Sequence, residues 1–167
     1  VDFTPYKEGT LLRRIERRMG IHHLEKGDQY LKILNDDDNE LERLSKDLLI
    51  TVTDFFRDKA VFSYLEKNVL PDAVKDHPLD QPCRVWVVGC ATGEEAYSYA
   101  MLLIEQAAKQ RRHLKIQVFA TDLDDDALQI ARDGMYPESI ESHISKARLK
   151  RFFNREDHHY HVKPELR

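Results

Sequence analysis

The sequence predicts an α/β protein in which a small all-helical segment precedes a doubly wound parallel sheet. Leucines recur at helical spacing within residues 10–49, which predicts amphipathic helices. Further along, 84–88 and 116–120 are short apolar runs, and a helical pattern follows each of them. This strand–helix–strand–helix order is typical of parallel strands joined by right-handed crossovers.

Composition narrows the class of protein. The chain has 167 residues, of which 41% are hydrophobic, and a formal net charge of -4. A core is therefore expected, and the weak charge gives no support for nucleic-acid binding. The longest uncharged runs, 85–93 and 96–104, have about half the length of a membrane span. No basic segment followed by an apolar one opens the sequence, so a secretory signal is not expected. We expect a cytoplasmic protein without membrane insertion, and the start at Val1 rather than Met suggests a fragment.

Three helices are predicted in the N-terminal part of the chain: 10–19, 28–34 and 40–49. The apolar stripe of the first helix consists of Leu11, Leu12, Ile15 and Met19. Thr10 is its predicted N-cap, and Gly20 is predicted to follow its last turn.

A change of pattern predicts the domain boundary. The β-branched residues within 51–53 favour an extended linker. Residues 59–69 then predict a helix that ends at Pro71, because proline cannot continue a helix. A loop with two prolines follows. We therefore divide the chain into a helical domain, 1–70, and a sheet-bearing domain, 71–167.

The two apolar runs of the second domain predict strands that are buried on both faces, as parallel strands usually are. Helices are predicted at 94–110 and 124–132, and Gly134 follows the second of them. The remaining predicted elements are a helix at 145–153 and a strand at 160–162.

A glycine turn joins the first predicted strand to its helix. Gly89 and Gly93 allow the backbone to approach a ligand closely. Their GxxxG spacing differs from the GxGxxG of dinucleotide-binding turns, and Glu94 and Glu95 occupy the first turn of the helix. Carboxylates at this position would repel phosphate, whereas a nucleoside that carries positive charge suits it. S-adenosylmethionine, with its sulfonium and ammonium groups, is such a ligand.

The second predicted strand ends at Asp122. An acidic residue at the tip of the second strand is where folds of this class hydrogen-bond ribose hydroxyls, and we predict that role for Asp122. Three further aspartates follow within 124–126. For these we predict N-capping of the next helix and a favourable interaction with its dipole.

Three segments resemble the CheR family of chemotaxis receptor methyltransferases: 48–58 (LLITVTDFFRD), 85–98 (VWVVGCATGEEAYS) and 120–124 (ATDLD). Residues 10–19 are also similar to the N-terminal helical domain of that family. The resemblance implies a small all-α domain followed by the first half of a Rossmann-like S-adenosylmethionine-dependent methyltransferase domain. It also implies methyl transfer from S-adenosylmethionine to receptor glutamate side chains, with S-adenosylhomocysteine as the product.

Carried over residue by residue, the resemblance implies that Thr53, Arg57, Glu95 and Asp122 contact the cofactor. Thr51 stands where the family often has asparagine, and it is included in the predicted site. Arg57 is the predicted catalytic residue, since its planar guanidinium could pair with the methionyl carboxylate. The alternative for Arg57 is a salt bridge to a neighbouring aspartate, 54 or 58. The phenylalanines at 55 and 56 are predicted to pack rather than to contact substrate.

A cluster of arginines on the first predicted helix has two open interpretations: Arg13, Arg14, Arg17 and Arg18. Such a run is commonly a solvated helix face. The resemblance offers docking on the acidic cytoplasmic helices of methyl-accepting chemotaxis receptors as the other interpretation. A metal site is not predicted, because the chain lacks a CxxC pair and the histidine cluster at 158–161 has no carboxylate or cysteine at the right offset.

Three functions are consistent with these patterns. The leading one is a protein-glutamate O-methyltransferase. The second is a non-catalytic S-adenosylmethionine-binding or receptor-docking module of a signalling protein. The third, a nicotinamide-dependent oxidoreductase, is disfavoured by the glycine turn. In the CheR family later strands supply further cofactor and acceptor contacts, so the resemblance implies an N-terminal portion for which turnover alone is not expected.

Overall fold

The computed structural model describes residues 3–49 and 51–167. Val1 and Ile50, which were both used in the sequence analysis, lie outside the described residues. The chain forms two compact units, Val1–Ile50 and Thr51–Arg167. The boundary predicted from the sequence lies later in the chain, after residue 70. The difference arises because the aromatic residues at 55, 56 and 62 belong to the hydrophobic core of the second unit.

The first unit consists of three helices: α1 (Glu8–Ile21), α2 (Gly27–Asp36) and α3 (Asp38–Leu48). All three predicted helices are confirmed; α1 and α2 extend beyond the predicted bounds at both ends, whereas α3 begins two residues earlier and ends one residue earlier than predicted. Asp37 separates α2 from α3, and its carboxylate accepts a hydrogen bond from the Asn39 N–H at 3.0 Å. This is the geometry of an Asp N-cap, which explains why one helix ends and the next begins within the acidic segment 35–39 (NDDDN).

Both predicted caps of α1 are wrong. The helix begins before Thr10, with Lys7 at the N-cap and no side chain that caps it. Gly20 lies inside the last turn, and His22 is the C-cap. The apolar stripe is correct for Leu11, Ile15 and Met19, which pack on the core of the unit, whereas Leu12 is exposed.

A buried carboxylate holds the helices of the first unit together. The side chain of Glu40, fully buried in α3, receives two hydrogen bonds from the Arg18 guanidinium, one of them at 2.9 Å. The Tyr30 hydroxyl donates to the same carboxylate at 2.8 Å, and His22 Nε2 lies 3.1 Å from it. These donors, with Arg18 the strongest, lower the pKa of Glu40 to about 2. The ion pair is therefore present throughout the physiological pH range.

The second unit opens with a helix that proline does not end. Helix α4 (Lys59–Tyr64) continues through a π-helical turn, Leu65–Val69, into α5 (Leu70–Lys75). The prediction that Pro71 terminates this helix is wrong. Pro71 lies in the first turn of α5, where its missing N–H is not required. Its carbonyl accepts a hydrogen bond from Gln110 at 2.7 Å, which ties α5 to the end of a later helix.

Two parallel strands form the main sheet of the second unit: β1 (Cys83–Val88) and β2 (Ile116–Thr121), paired in register along their whole length. One face, which includes Val87, packs against the next helix. On the opposite face Trp86 and Phe119 are exposed. The prediction that both faces are buried is therefore wrong for the described residues.

The remaining elements of the second unit are α6 (Glu94–Lys109), α7 (Asp125–Asp133), β3 (Met135–Pro137), α8 (Lys146–Phe152), β4 (Phe153–Glu156), β5 (His159–Val162) and 3₁₀ turns at Glu138–Ser142 and Pro164–Leu166. The predicted helices at 94–110, 124–132 and 145–153 and the strand at 160–162 are confirmed. Strands β3 and β4, which flank β5 in a small antiparallel sheet, were not predicted. Both are short, and β4 is mostly polar, so neither has the apolar pattern that indicates a strand.

No helix within residues 3–49 and 51–167 is both long enough and apolar enough to cross a membrane.

Candidate functional site

The glycine turn follows β1 and has an alternating backbone conformation. Gly89, Ala91 and Gly93 have positive φ angles of 69°, 46° and 94°. A Cβ atom added to Gly89 would have no neighbour within 4 Å. The outer part of the turn is therefore open to a ligand, and glycine is needed there for conformation rather than for space.

Gly93 is required for both conformation and space. A Cβ atom added to it would lie 2.8 Å from the Ala131 Cβ and 3.1 Å from the Tyr136 hydroxyl. That hydroxyl, which is buried, donates a hydrogen bond to the Thr92 carbonyl at 2.7 Å. The inner half of the turn is thus fixed against α7 and β3, while the outer half remains open.

Asp122, the predicted ribose ligand, lies at the end of β2 and reaches the glycine turn. One oxygen of its carboxylate accepts from the Ala91 N–H at 2.7 Å, and the other accepts from the Asp124 N–H at 2.9 Å. The Asp122 carboxylate therefore occupies a backbone N–H group of the turn that would bind phosphate in a dinucleotide-binding turn. Because each carboxylate oxygen has two lone pairs, Asp122 keeps acceptor capacity for hydroxyl groups.

The two glutamates of the first turn of α6 have different surroundings. Glu94 is half-buried and accepts a hydrogen bond from the Thr92 hydroxyl at 2.6 Å. Burial raises the pKa of Glu94 despite this bond, and the Asp54 carboxylate adds to the rise. Glu95 is exposed and is available to a ligand. Burial, with a smaller contribution from nearby carboxylates, also raises the pKa of the Cys90 thiol, which is therefore a poor nucleophile near neutral pH.

The aromatic residues before Arg57 pack as predicted. Phe55 makes edge-to-face contacts with Tyr136 and Phe153, at ring-centroid distances of 4.9 and 5.7 Å. Phe56 is also buried and makes an edge-to-face contact with Phe62 at 5.3 Å. Packing on both sides fixes the backbone of this segment.

Arg57 itself is exposed. Its guanidinium donates to the carbonyl of Val52 at 2.7 Å, which folds the segment back on itself. Asp54, which was an alternative partner for Arg57, instead has its Oδ1 atom 3.7 Å from Nε2 of His143. Thr51 is exposed and Thr53 is half-buried within the same extended stretch. Arg57 therefore has donors left for an anionic ligand.

A serine that the sequence analysis did not single out joins this segment to α6. The hydroxyl of Ser98, one turn after Glu94, accepts a hydrogen bond from the Phe56 N–H at 3.1 Å. The structure thereby brings the segment around Arg57 to the first turn of α6, and Asp122 to the glycine turn. No sequence pattern indicates either contact, because the partners are separated by more than 30 residues.

A groove of about 730 Å³ lies elsewhere, between α6, β2 and α7. Its lining mixes apolar side chains with charged ones such as Arg132 and Glu165, and Gly93 is the one predicted site residue that reaches it. The groove is therefore distinct from the arrangement of polar groups around the turn.

The arginine cluster lies in the first unit and divides into two pairs. Arg18 forms an ion pair with the buried Glu40. Arg14 donates to the carbonyls of Asp47 and Leu49, the latter at 3.2 Å, and so caps the C-terminal end of α3. Arg13 and Arg17 are exposed. Only this second pair is available to a partner.

The second unit combines a strand, an acidic glycine turn and a helix with a carboxylate at the end of the next strand, which defines the class of nucleoside-binding Rossmann-like domains. The family model described as "CheR methyltransferase, SAM binding domain" matches residues 51–167. The model described as "CheR methyltransferase, all-alpha domain" matches residues 1–49. The chain belongs to the CheR methyltransferase family, and its cofactor is S-adenosylmethionine.

The chain is also similar to individual proteins, some of which are named as chemotaxis methyltransferases. A protein from Rhodobacter capsulatus, named only as an uncharacterized 104.1 kDa protein, is 39% identical over 167 residues, which are all of this chain and 18% of that protein. A chemotaxis protein methyltransferase from Borreliella burgdorferi is 32% identical over 118 residues, 69% of this chain and 42% of its own length. Another from Listeria innocua is 29% identical over 167 residues, 100% of this chain and 62% of its own. The chain thus spans less than two thirds of the length of these relatives.

Proposed function

We propose that the protein transfers a methyl group from S-adenosylmethionine to glutamate side chains of chemotaxis receptors. The observation that carries this proposal is the acidic surface around the glycine turn, in a chain that belongs to the CheR methyltransferase family. Glu95 is exposed beside the turn, and the carboxylate of Asp122 fills the turn from within. Negative charge here favours a ligand with cationic groups and disfavours one with a pyrophosphate.

The residues present fit the cofactor. The space outside Gly89 would admit the nucleoside, and the unused lone pairs of Asp122 would accept hydrogen bonds from the ribose. Glu95 would accept from cationic groups of the methionyl part, and Arg57 would pair with its carboxylate. Thr51 and Thr53 would add hydroxyl contacts from the same extended stretch.

The bound cofactor supplies an activated methyl group, and a receptor glutamate is its acceptor. A free glutamate titrates near 4.3, so its carboxylate is already ionised near neutral pH. The chain therefore does not need to provide a general base. The tasks of Arg57, Glu95 and Asp122 are to bind and orient, and the buried aromatic residues before Arg57 keep that side chain where it can act.

Methyl transfer to a purified receptor cytoplasmic fragment tests this proposal directly. Full-length protein, radiolabelled S-adenosylmethionine and the fragment should give base-labile label on the fragment. Replacing the acceptor glutamates with glutamine should abolish the label. Arg57→Ala should weaken the binding of S-adenosylhomocysteine about tenfold or more, because it removes a charge-assisted pair. Binding of S-adenosylhomocysteine without any methyl transfer would support a non-catalytic module instead.

We also propose that Arg13 and Arg17 dock on acidic cytoplasmic helices of the receptor, which would place the protein in the cytoplasm. The support for this proposal is that both side chains are exposed on α1, whereas Arg14 and Arg18 are engaged within the unit. Exposed charges act mainly through the association rate and are screened by salt.

Charge reversal tests the docking proposal. Arg13→Glu combined with Arg17→Glu should weaken binding to the receptor fragment about tenfold at low ionic strength, and less at high salt. The control combines Lys32→Glu with Arg43→Glu, two exposed positions on α2 and α3 that change the net charge equally. Equal weakening by both pairs would indicate a net-charge effect and would contradict docking through α1.

A further inference from the structure

We propose that Ser98 is a positioning residue of the cofactor site, which fixes the segment containing Arg57 to the helix that carries Glu95. This inference rests on the proposed function, since it assigns a role within that same site. Ser98 is fully buried on α6, and its hydroxyl bonds to backbone groups of Glu94 and Phe56. It acts through the backbone of Phe56.

The hydroxyl of Ser98 acts both as a hydrogen-bond donor and as an acceptor. As a donor, it bonds to the carbonyl of Glu94 at 2.7 Å, one turn earlier in α6. This back-bond is common for serine in helices and fixes the direction of the hydroxyl proton. As an acceptor, it receives the Phe56 N–H at 3.1 Å. The oxygen is therefore oriented toward the incoming segment by the helix itself.

Phe56 needs such a partner. Its φ of +51° lies in the left-handed region, which is costly for a residue with a bulky side chain. A buried N–H without an acceptor would add a further penalty. The surroundings hold the residue in place: the Arg148 guanidinium lies 4.6 Å from the centre of its ring, and Glu105 binds that guanidinium through both carboxylate oxygens.

The position of Phe56 explains why its constraint matters for the site. Arg57 follows it directly, so the backbone angles of Phe56 determine where the Arg57 side chain begins. Ser98 lies in the first turns of α6, three residues after Glu95. The Ser98–Phe56 bond thereby sets the separation between two predicted cofactor contacts that are far apart in sequence. Without it, only a fraction of molecules would present Arg57 correctly, and the apparent affinity would be reduced to that fraction of its full value.

Binding of S-adenosylhomocysteine to the full-length protein, measured by calorimetry, tests the inference. Ser98→Ala should weaken binding about threefold to tenfold, as expected for loss of one buried hydrogen bond. Ser98→Thr, which keeps the hydroxyl, should restore most of the affinity, and it keeps the test valid if the alanine variant folds poorly. Two controls are matched to the change: Ser142→Ala removes a surface hydroxyl whose bond is local, and Val74→Ala destabilises the core of the same unit.

A double-mutant cycle separates positioning from a structural role. If Ser98 acts through Arg57, Ser98→Ala should weaken binding little further, by less than about twofold, once Arg57 is alanine. A purely structural serine would give the same fold-change in both backgrounds, and that result would overturn the inference. Unchanged affinity in Ser98→Ala would overturn it as well. If the wild-type protein bound no S-adenosylhomocysteine, the proposed function would fail first, and the inference would fail with it.

Discussion

Replacing Glu40 with glutamine tests the buried ion pair that joins the helices of the first unit. The substitution keeps the shape of the side chain but removes its charge. Arg18 would then lose its bidentate partner while its own side chain remains only 12% exposed. Removing one member of a buried pair is strongly destabilising, because the other charge stays uncompensated.

The size of the effect follows from the pKa of Glu40. Its value falls from 4.5 to about 2 on folding, and each pH unit corresponds to about 1.4 kcal/mol. Because the folded pKa is the lower one, this contribution is complete above pH 4.5 and is lost as the pH falls toward 2. We therefore expect Glu40→Gln to lower the free energy of unfolding by about 3 kcal/mol at pH 7 and by about half as much at pH 3.

Urea titrations of the full chain at both pH values, followed by the NMR signals of Tyr30, would measure this difference. Glu42→Gln is the matched control, since Glu42 lies on the same helix with its side chain 67% exposed. That control should change the free energy of unfolding by less than about 0.5 kcal/mol. An equal loss for Glu40→Gln at pH 7 and pH 3 would refute the argument, because the ionised carboxylate would then not be the stabilising group.

Two further predictions concern the glycine turn. Gly93→Ala should destabilise the second unit by about 2 kcal/mol or more, since the added Cβ would collide with Ala131 and the φ of residue 93 is positive. Gly20→Ala, inside α1 with free space around it, should instead stabilise the first unit by about 0.5–1 kcal/mol. Thermal melts followed by circular dichroism would show opposite shifts for the two variants. Tyr136→Phe should lower the free energy of unfolding by about 1–2 kcal/mol, because it removes the hydrogen bond to the Thr92 carbonyl. Tyr64→Phe, at an exposed site, should leave that free energy unchanged. Equal effects of the two substitutions would contradict a stabilising role for the buried hydroxyl.

Local patterns predicted most of the regular structure. The helices of both units and the two parallel strands follow from apolar spacing, and the role of Asp124 follows from helix capping: its carboxylate accepts from the N–H groups of residues 126 and 127. The glycine turn could also be predicted from the sequence, because its glycine spacing and the glutamates after it are local features. The assignments of Thr53, Arg57, Glu95 and Asp122 as cofactor contacts stay predictions.

Contacts between distant residues could not be predicted in this way. Nothing in a run of four arginines distinguishes Arg14 and Arg18, which serve the fold, from their exposed neighbours. The π-helical turn before Pro71 and the caps of α1 likewise depend on tertiary packing. Ser98 illustrates the same limit within the site, since its role arises only when a segment more than 40 residues away folds against α6.

The open face of the β1–β2 sheet has a practical consequence for spectroscopy. The chain contains a single tryptophan, and Trp86 is 68% exposed on that face, with its indole N–H donating to the Thr121 hydroxyl next to Asp122. Because this indole is already largely hydrated in the folded state, its emission should change little when the core unfolds. It should shift to shorter wavelength when a ligand or polypeptide segment covers the sheet. The tryptophan fluorescence of this chain would thus report occupancy of one surface, almost independently of its stability.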